Sequence, residues 1–482
     1  MRELLHGRAR EGMKRLFTGP IFLNGDFHRA AVIEGRKVIA LDDNAMNLNL
    51  TPEPVEFLTH SFRDAHLHPV LAGRDQIGLD VTECASVEQV LETVSNWLKT
   101  HPGEDLVVGG AYNRNLVSDG LFEASWLDSV TGDRPLALHA TDRHTLWVNT
   151  AALNLIEISE MVTHGVDPRG MLRESDAKNL VLRHEPKHDD IEAFLTAQET
   201  LLKLGITQIT DAWVDDSIFE TYEKLAAAGQ LKLDVELTLA VEPGTWREDI
   251  ASFKRKLDAQ LPGCRVIGAK FFIDGVFGGA TAAVHEPYET TGTKGDLMWN
   301  RTEIVAALRS VSTLGLLPHL HAIGDRAIDE AISCLKESGS AKGATIVHLE
   351  LASTEALEQM AELGIIANIQ PLWGRRDGML ESCSSHLGQR IERLYPTRTA
   401  MDAGVEVVFG SDWPVSSSDP LLGIYTAVTR QTEDAKSIPL GPEQSITIAE
   451  AFANYASRNG FALFNANPFE SDLREVRVIE TL

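Results

Sequence analysis

The chain has 482 residues, 43% of them hydrophobic and 24% charged, a composition that suits a globular protein and a length that fits one large barrel-type domain with a small companion or three compact domains. A formal net charge of −26 excludes nucleic acids and anionic membranes as natural partners, because both would repel it. Cys84, Cys264, Cys334 and Cys383 show no C-x-x-C spacing, so neither a disulfide framework nor a zinc knuckle is expected and a cytoplasmic location is.

Met1 to Arg15 is basic and lacks the apolar core of a signal peptide, and no stretch is long and apolar enough to span a bilayer. From Ile21 to Asn49, apolar bursts (Ile21-Phe22-Leu23, Ala30 to Ile33, Val38 to Leu41) alternate with turns at Asn24-Gly25-Asp26 and Glu34-Gly35-Arg36. This pattern predicts a small antiparallel sheet, and Glu475 to Glu480 reads as a further strand. Residues 13–54 and 468–482 are therefore expected to form one small β-sandwich domain from the two chain ends.

Between Ile206 and Asp412 a pattern of helix, glycine and apolar strand repeats, and residues 55–467 are expected to form the large domain. Gly205, Gly229, Gly315, Gly339, Gly364 and Gly404 mark helix ends, each followed by an apolar run. Strands are expected near 55–63, 206–212, 232–240, 265–273, 316–321, 344–348, 365–370 and 405–410. Eight helix-linked strands predict a parallel α/β architecture, a (β/α)8 TIM barrel, with an open doubly wound sheet as the alternative. Residues 69–204 are too many for one crossover. They contain strand-like runs at Leu106-Val107-Val108 and Pro135 to Leu138 and a helix from Val87 to Lys99, and so read as an inserted, lid-like subdomain.

The residues that carry chemistry fall at the C-terminal ends of these strands. In Asp64-Ala65-His66-Leu67-His68 the two histidines project to one face of an extended chain, as two nitrogen ligands of a zinc-like metal do. Lys270 lies late in the fourth strand, His321 ends the fifth, His348 ends the sixth and Asp412 follows the eighth. A barrel brings all six positions together at its mouth. His319 shares the face of His321 and is either a contact of the site or substrate, or a packed barrel histidine.

The blocks Asp142-Arg143-His144-Thr145-Leu146-Trp147-Val148-Asn149, Lys270 to Gly275, His321 to Ala327, Gln370-Pro371-Leu372-Trp373 and Gly410-Ser411-Asp412-Trp413-Pro414, in this order after Asp64 to His68, resemble the amidohydrolase superfamily. The nearest branch is that of the N-substituted formamide deformylases, and the likeness runs from about Ile21 to Ser457. It implies a barrel with a divalent metal site, one or two ions, zinc first among them. His66, His68, His321, His348 and Asp412 would be metal ligands, and Lys270 a bridging ligand carried as its carbamate. Asp412 would also be the general base, and His144 would polarise the substrate carbonyl or bind substrate. The sequence departs from the family pattern at His60-Ser61-Phe62, at Arg63, at Arg143, at Val347 (where a glutamate is usual) and in the tail. Glu350 lies two residues after His348.

Trp147, Asn149, Tyr288, Trp373 and Trp413, with His319, are expected to contact substrate, since aromatic walls with a few polar groups suit a small organic molecule; the alternative for each is a packed core position. No Gly-rich phosphate loop is present, so no nucleotide cofactor is expected. The reading is a metal-dependent hydrolase of a linear or cyclic C–N bond. A small molecule would be its substrate, and a second copy in a homodimer the only macromolecular partner. The alternatives are an ester hydrolase or ring-amine deaminase of the same fold, and a non-catalytic metal-binding protein.

Overall fold

The computed structural model describes residues 13–82, 84–117, 120–141, 145–164, 166–186 and 189–482; His144, with its neighbours Asp142 and Arg143, lies outside the described residues. The N-terminal apolar bursts fold as their alternation requires. β1 (Lys14–Leu23), β2 (Asp26–Glu34) and β3 (Lys37–Leu41) form an antiparallel meander. β4 (Pro52–Pro54) and β5 (Phe57–Leu67) both run parallel to β1. β5 continues four residues beyond the expected end at 63, so His66 lies inside the strand.

The chain then leaves this sheet and builds a second one of five strands, ordered β10-β9-β8-β7-β6. These are β6 (Leu79–Asp80), β7 (Val107–Tyr112), β8 (Leu136–Ala140), β9 (Thr145–Val148) and β10 (Met171–Arg173). The helix Val87–Thr100 begins at Ser86, whose side chain accepts from the Gln89 N–H, and buries Val90 and Val94. Those two valines join Leu79, Leu136, Tyr112 and Trp147 in a core separate from the main one.

The main sheet resumes with β11 (Ile206–Val214), β12 (Asp234–Ala240), β13 (Cys264–Phe272), β14 (Leu317–Ala322), β15 (Thr345–His348), β16 (Ile366–Ile369) and β17 (Val407–Phe409). All seven are parallel, lie in chain order, and start beside β5. The glycines expected to end the intervening helices have φ between 64° (Gly229) and 82° (Gly404), the left-handed geometry that stops a helix without Cβ strain.

Two expectations need correction in detail. No ladder pairs β17 with β5 among the described residues, so strand pairing alone does not close a barrel. The closest link comes just beyond β17, where the Asp412 N–H donates to His66 O at 2.7 Å and the His68 N–H to Trp413 O at 2.8 Å. Nor do the chain ends form an independent sandwich, because β1 to β4, β18 (Ala456–Phe464) and β19 (Val478–Thr481) belong to the same fourteen-stranded mixed sheet. β5 is the reason. Its first half pairs with β1 and antiparallel β18, and its second half with β11. β18 was not among the expected strands.

Candidate active site

Alternation along β5 turns Asp64 and His66 to one face, and both are about 1% exposed. The segment after β17 is fastened to them. At Gly410 a Cβ would lie 2.7 Å from the His66 backbone nitrogen, so the close approach requires glycine. Ser411 then donates its N–H (3.0 Å) and its hydroxyl (2.5 Å) to Asp64. Burial pushes the Asp64 carboxyl up to about 7, with the Ser411 bonds pulling the other way.

Asp412 follows with φ 55°, a left-handed conformation that an ordinary side chain adopts only under constraint. Its Oδ1 lies 3.4 Å from His66 Nε2 and 3.2 Å from His68 Nε2. Burial disfavours the Asp412 charge, yet its pKa falls below the usual value because the His68 hydrogen bond and the nearby His348 and Lys270 outweigh burial. His68 itself stands at the start of the helix Pro69–Ile77, where Pro69 fixes the first turn.

Lys270, on β13, is about 1% exposed, and its Nζ lies 3.4 Å from His66 Nε2. Burial pushes its ammonium down to about 7. Asp274, four residues on, is engaged elsewhere. The Asp274 carboxylate accepts the backbone N–H groups of Ala283, Ile323 and Gly324 at 2.9 to 3.0 Å. It also lies 3.7 Å from His321 Nε2. His321 Nε2 is 3.2 Å from Gly275 O, and the His321 ring packs 4.5 Å from that of His348.

His348 ends β15 with φ 75° and keeps its Nδ1 2.9 Å from Gln370 Oε1. His319 does not reach the cavity. It lies behind His66, its Nε2 2.7 Å from His66 Nδ1 and the two ring planes 9° from parallel.

The six residues expected as ligands, His66, His68, Lys270, His321, His348 and Asp412, all line one cavity of about 850 Å³. Trp373 also lines it, stacked on His348 with ring centroids 5.4 Å apart. Besides His319, three of the other residues expected against substrate are placed elsewhere. Trp147 is buried in the second sheet's core and donates its Nε1–H to Glu123 O. Asn149 caps the helix Thr150–Leu153 and bonds Leu136, Thr131 and Arg134. Tyr288 is buried and donates to Ala282 O at 2.7 Å.

Sequence reasoning passed over Glu350 as a cavity residue and missed Tyr395 altogether; both line the cavity. Glu350 accepts the Tyr395 hydroxyl at 3.0 Å, and its backbone carbonyl accepts the Tyr395 N–H at 2.8 Å. Burial pushes the Glu350 carboxyl up to about 8, with Asp274 and Asp412 adding to the effect. The signal available was the spacing His348-Leu349-Glu350; nothing local marks Tyr395, 45 residues away.

The donor chemistry fits a divalent ion. His66, His68 and Asp412 each offer a ligand atom, and these atoms lie within 4.8 Å of one another. Burial, as the largest cause, holds His66 and His348 well below the usual imidazole pKa, so both are neutral at pH 7, the form that binds metal.

A family model described as "Amidohydrolase family" matches residues 59–465. The chain is 26% identical to YtcJ of Bacillus subtilis (strain 168), over 87% of this chain and 86% of that protein. It is 25% identical to the N-substituted formamide deformylase of Arthrobacter pascens, over 82% and 77% of the two chains. Among solved structures, a metal-dependent hydrolase from Pyrococcus horikoshii OT3 matches with a TM-score of 0.77 and 20% identity. That match covers 96% of this chain and 99% of the other, and it is a likeness of fold.

Proposed function

Because the chain belongs to the amidohydrolase family, whose model spans residues 59–465, we propose that it hydrolyses the C–N bond of a small amide-type substrate in the cavity above β5. The observation that carries this reading is the meeting of His66, His68 and Asp412 from opposite ends of the parallel strand run, with their ligand atoms within 4.8 Å. In this reading the eight parallel strands act as a (β/α)8 barrel, closed by the Asp412–His66 and His68–Trp413 backbone bonds. Residues 69–204 are its insert, and 13–54 with 468–482 a small β domain.

A divalent ion, zinc by the donor set, would polarise the scissile carbonyl and lower the pKa of water toward ~7. His66, His68 and Asp412 would hold it. His321, His348 and Lys270, the last as a carbamate, would serve a second ion.

Asp412 is the proton carrier. Its carboxylate accepts a proton from the attacking water as the water oxygen bonds to the carbonyl carbon. It then delivers that proton to the departing nitrogen as the C–N bond breaks, so acid and amine leave with charges balanced. Trp373, stacked on His348, forms an apolar wall that keeps the substrate's flat carbonyl group beside the ligand cluster.

The related deformylase's name makes N-substituted formamides the class to assay first. Purified protein given Zn²⁺ should release formate from N-formyl amines and hold one to two metal equivalents per chain. The double variant His66→Ala/His68→Ala should stay folded and lose metal and turnover together. Metal content unchanged in that variant would sink the ligand assignment. Metal binding without turnover of amides, esters or ring amines would favour a binding protein.

A further inference from the structure

The cavity extends past the ligand cluster to the second sheet. The helix Glu174–Leu182 follows β10 directly, and its Ala177, Leu180 and Val181 sit in a core shared with Leu146 and Val148 of β9. Spacings of three and four residues put these three side chains on one helix face, so Asn179 is turned the other way. Asn179 is exposed, and it lines the same cavity as His66, His348 and Asp412. Part of the cavity wall is therefore supplied from outside the eight parallel strands.

The size of the cavity gives that wall a meaning. N-methylformamide, a minimal N-substituted formamide, has only four non-hydrogen atoms. It would fill roughly a seventh of the 850 Å³, at about 30 Å³ for each water-sized group. The lining also changes character with depth. Trp213 and Phe272, with ring centroids 5.1 Å apart, and the buried Phe277 present apolar surface. Asn179, Asp215 and Glu248 are exposed and polar, and they form its rim. Apolar walls under a polar rim match a molecule that is apolar beside its reacting group and polar at its far end.

We propose that Asn179 is a specificity-determining residue that holds the far end of an elongated substituent on the scissile amide, a chain of several methylenes ending in a hydroxyl or similar neutral polar group. The chain lies along Trp213, Phe272 and Phe277. The Asn179 side-chain amide, which both donates and accepts, bonds the terminal hydroxyl. Each methylene taken out of water favours binding by about fourfold, so the length of the chain governs kcat/KM. This inference rests on the reading of the cavity as the site of amide hydrolysis.

The test compares three probes on the metal-loaded protein. N-methylformamide is the short one, N-(6-hydroxyhexyl)formamide carries the chain on nitrogen, and N-methyl-7-hydroxyheptanamide carries the same chain on the carbonyl. Wild-type kcat/KM should favour one of the long probes over the short one by at least about tenfold. Asn179→Trp, which fills the rim from an exposed helix position, should lower kcat/KM for that long probe at least about tenfold and leave the short one within about twofold. Asn179→Ala, which removes only the hydrogen bond, should lower the long probe by about three- to tenfold. A purely structural role for Asn179 would lower long and short probes equally, and that result overturns the inference, as does a wild-type protein without a length preference. Where no probe is hydrolysed, calorimetric binding of the same three decides. Tighter binding of a long probe, lost in Asn179→Trp, would overturn the hydrolase reading and leave the Asn179 assignment standing; binding without a length preference would overturn both.

Discussion

His66 Nδ1 and His319 Nε2 lie 2.7 Å apart, with the two rings 9° from parallel. One of these nitrogens donates to the other, so the contact fixes the His66 tautomer and leaves His66 Nε2 facing Asp412 and Lys270. Buried imidazoles that grip a ligand from behind are worth about 10- to 100-fold in metal affinity. His319→Phe should weaken metal binding by that factor in a chelator competition assay, with the fold retained. An unchanged affinity would make His319 a packing residue.

Asp412→Asn keeps the size of the side chain and one oxygen but removes the proton acceptor. Turnover should fall about 10²- to 10⁴-fold, the usual range for loss of a general base, with a smaller loss of metal. The split between metal content and kcat is the measurement. Near wild-type kcat would assign proton transfer to another group.

Lys270 is buried, and burial lowers its pKa to about 7, so a large fraction is neutral amine at pH 7 to 8. Only the neutral amine adds to CO2, forming an N–C bond and releasing a proton. Apoprotein refilled with metal in CO2-free buffer should therefore regain less activity than protein refilled with bicarbonate. A carbamate carbon signal from labelled bicarbonate should appear in the wild type and be absent from Lys270→Ala. Equal recovery in both buffers would leave Lys270 an unmodified cavity lysine.

Glu450 supports the helix Ile448–Tyr455, whose Phe452 and Tyr455 pack on Phe57 and Phe62 of β5. Its carboxylate meets Arg398 at 2.6 Å and the N–H and hydroxyl of Thr447 at 2.8 Å each. The Arg398 hydrogen bond, ahead of the Thr447 bonds, holds its pKa down to about 2. A depressed carboxylate pKa contributes stability above the unfolded value of about 4.5, and that contribution disappears as pH falls toward 2. The pair is partly exposed, so the effect is small, about 1 to 2 °C in Tm. The melting gap between wild type and Glu450→Gln should be widest near pH 7 and should narrow as pH falls from 4.5 toward 2. A gap that widens on acidification would refute the ion-pair account.

Periodicity by itself determined the parallel strand run. Apolar bursts and helix-ending glycines are local signals, and Gly205 to Gly404 adopt the left-handed geometry expected of them. The residues at the strand ends were equally legible, because alternation and strand position are properties of a short window. His66, His68, Lys270, His321, His348 and Asp412 line one cavity as their positions required. What the sequence could not determine depends on contacts between distant segments. The bonds from Ser411 to Asp64 span 347 residues and those from Tyr395 to Glu350 span 45. Trp147 was expected at the substrate but packs in the second sheet's core, because an aromatic beside a motif looks the same whether it faces a cavity or a core. β18 was not expected, and it is placed by pairing with β5 about 400 residues earlier, through Ala456 and Phe461 to Phe464. Side-chain type and spacing encode which groups are available and which local face they share. The tertiary structure alone decides which of those faces meet, since that choice is made by backbone pairing and burial across hundreds of residues.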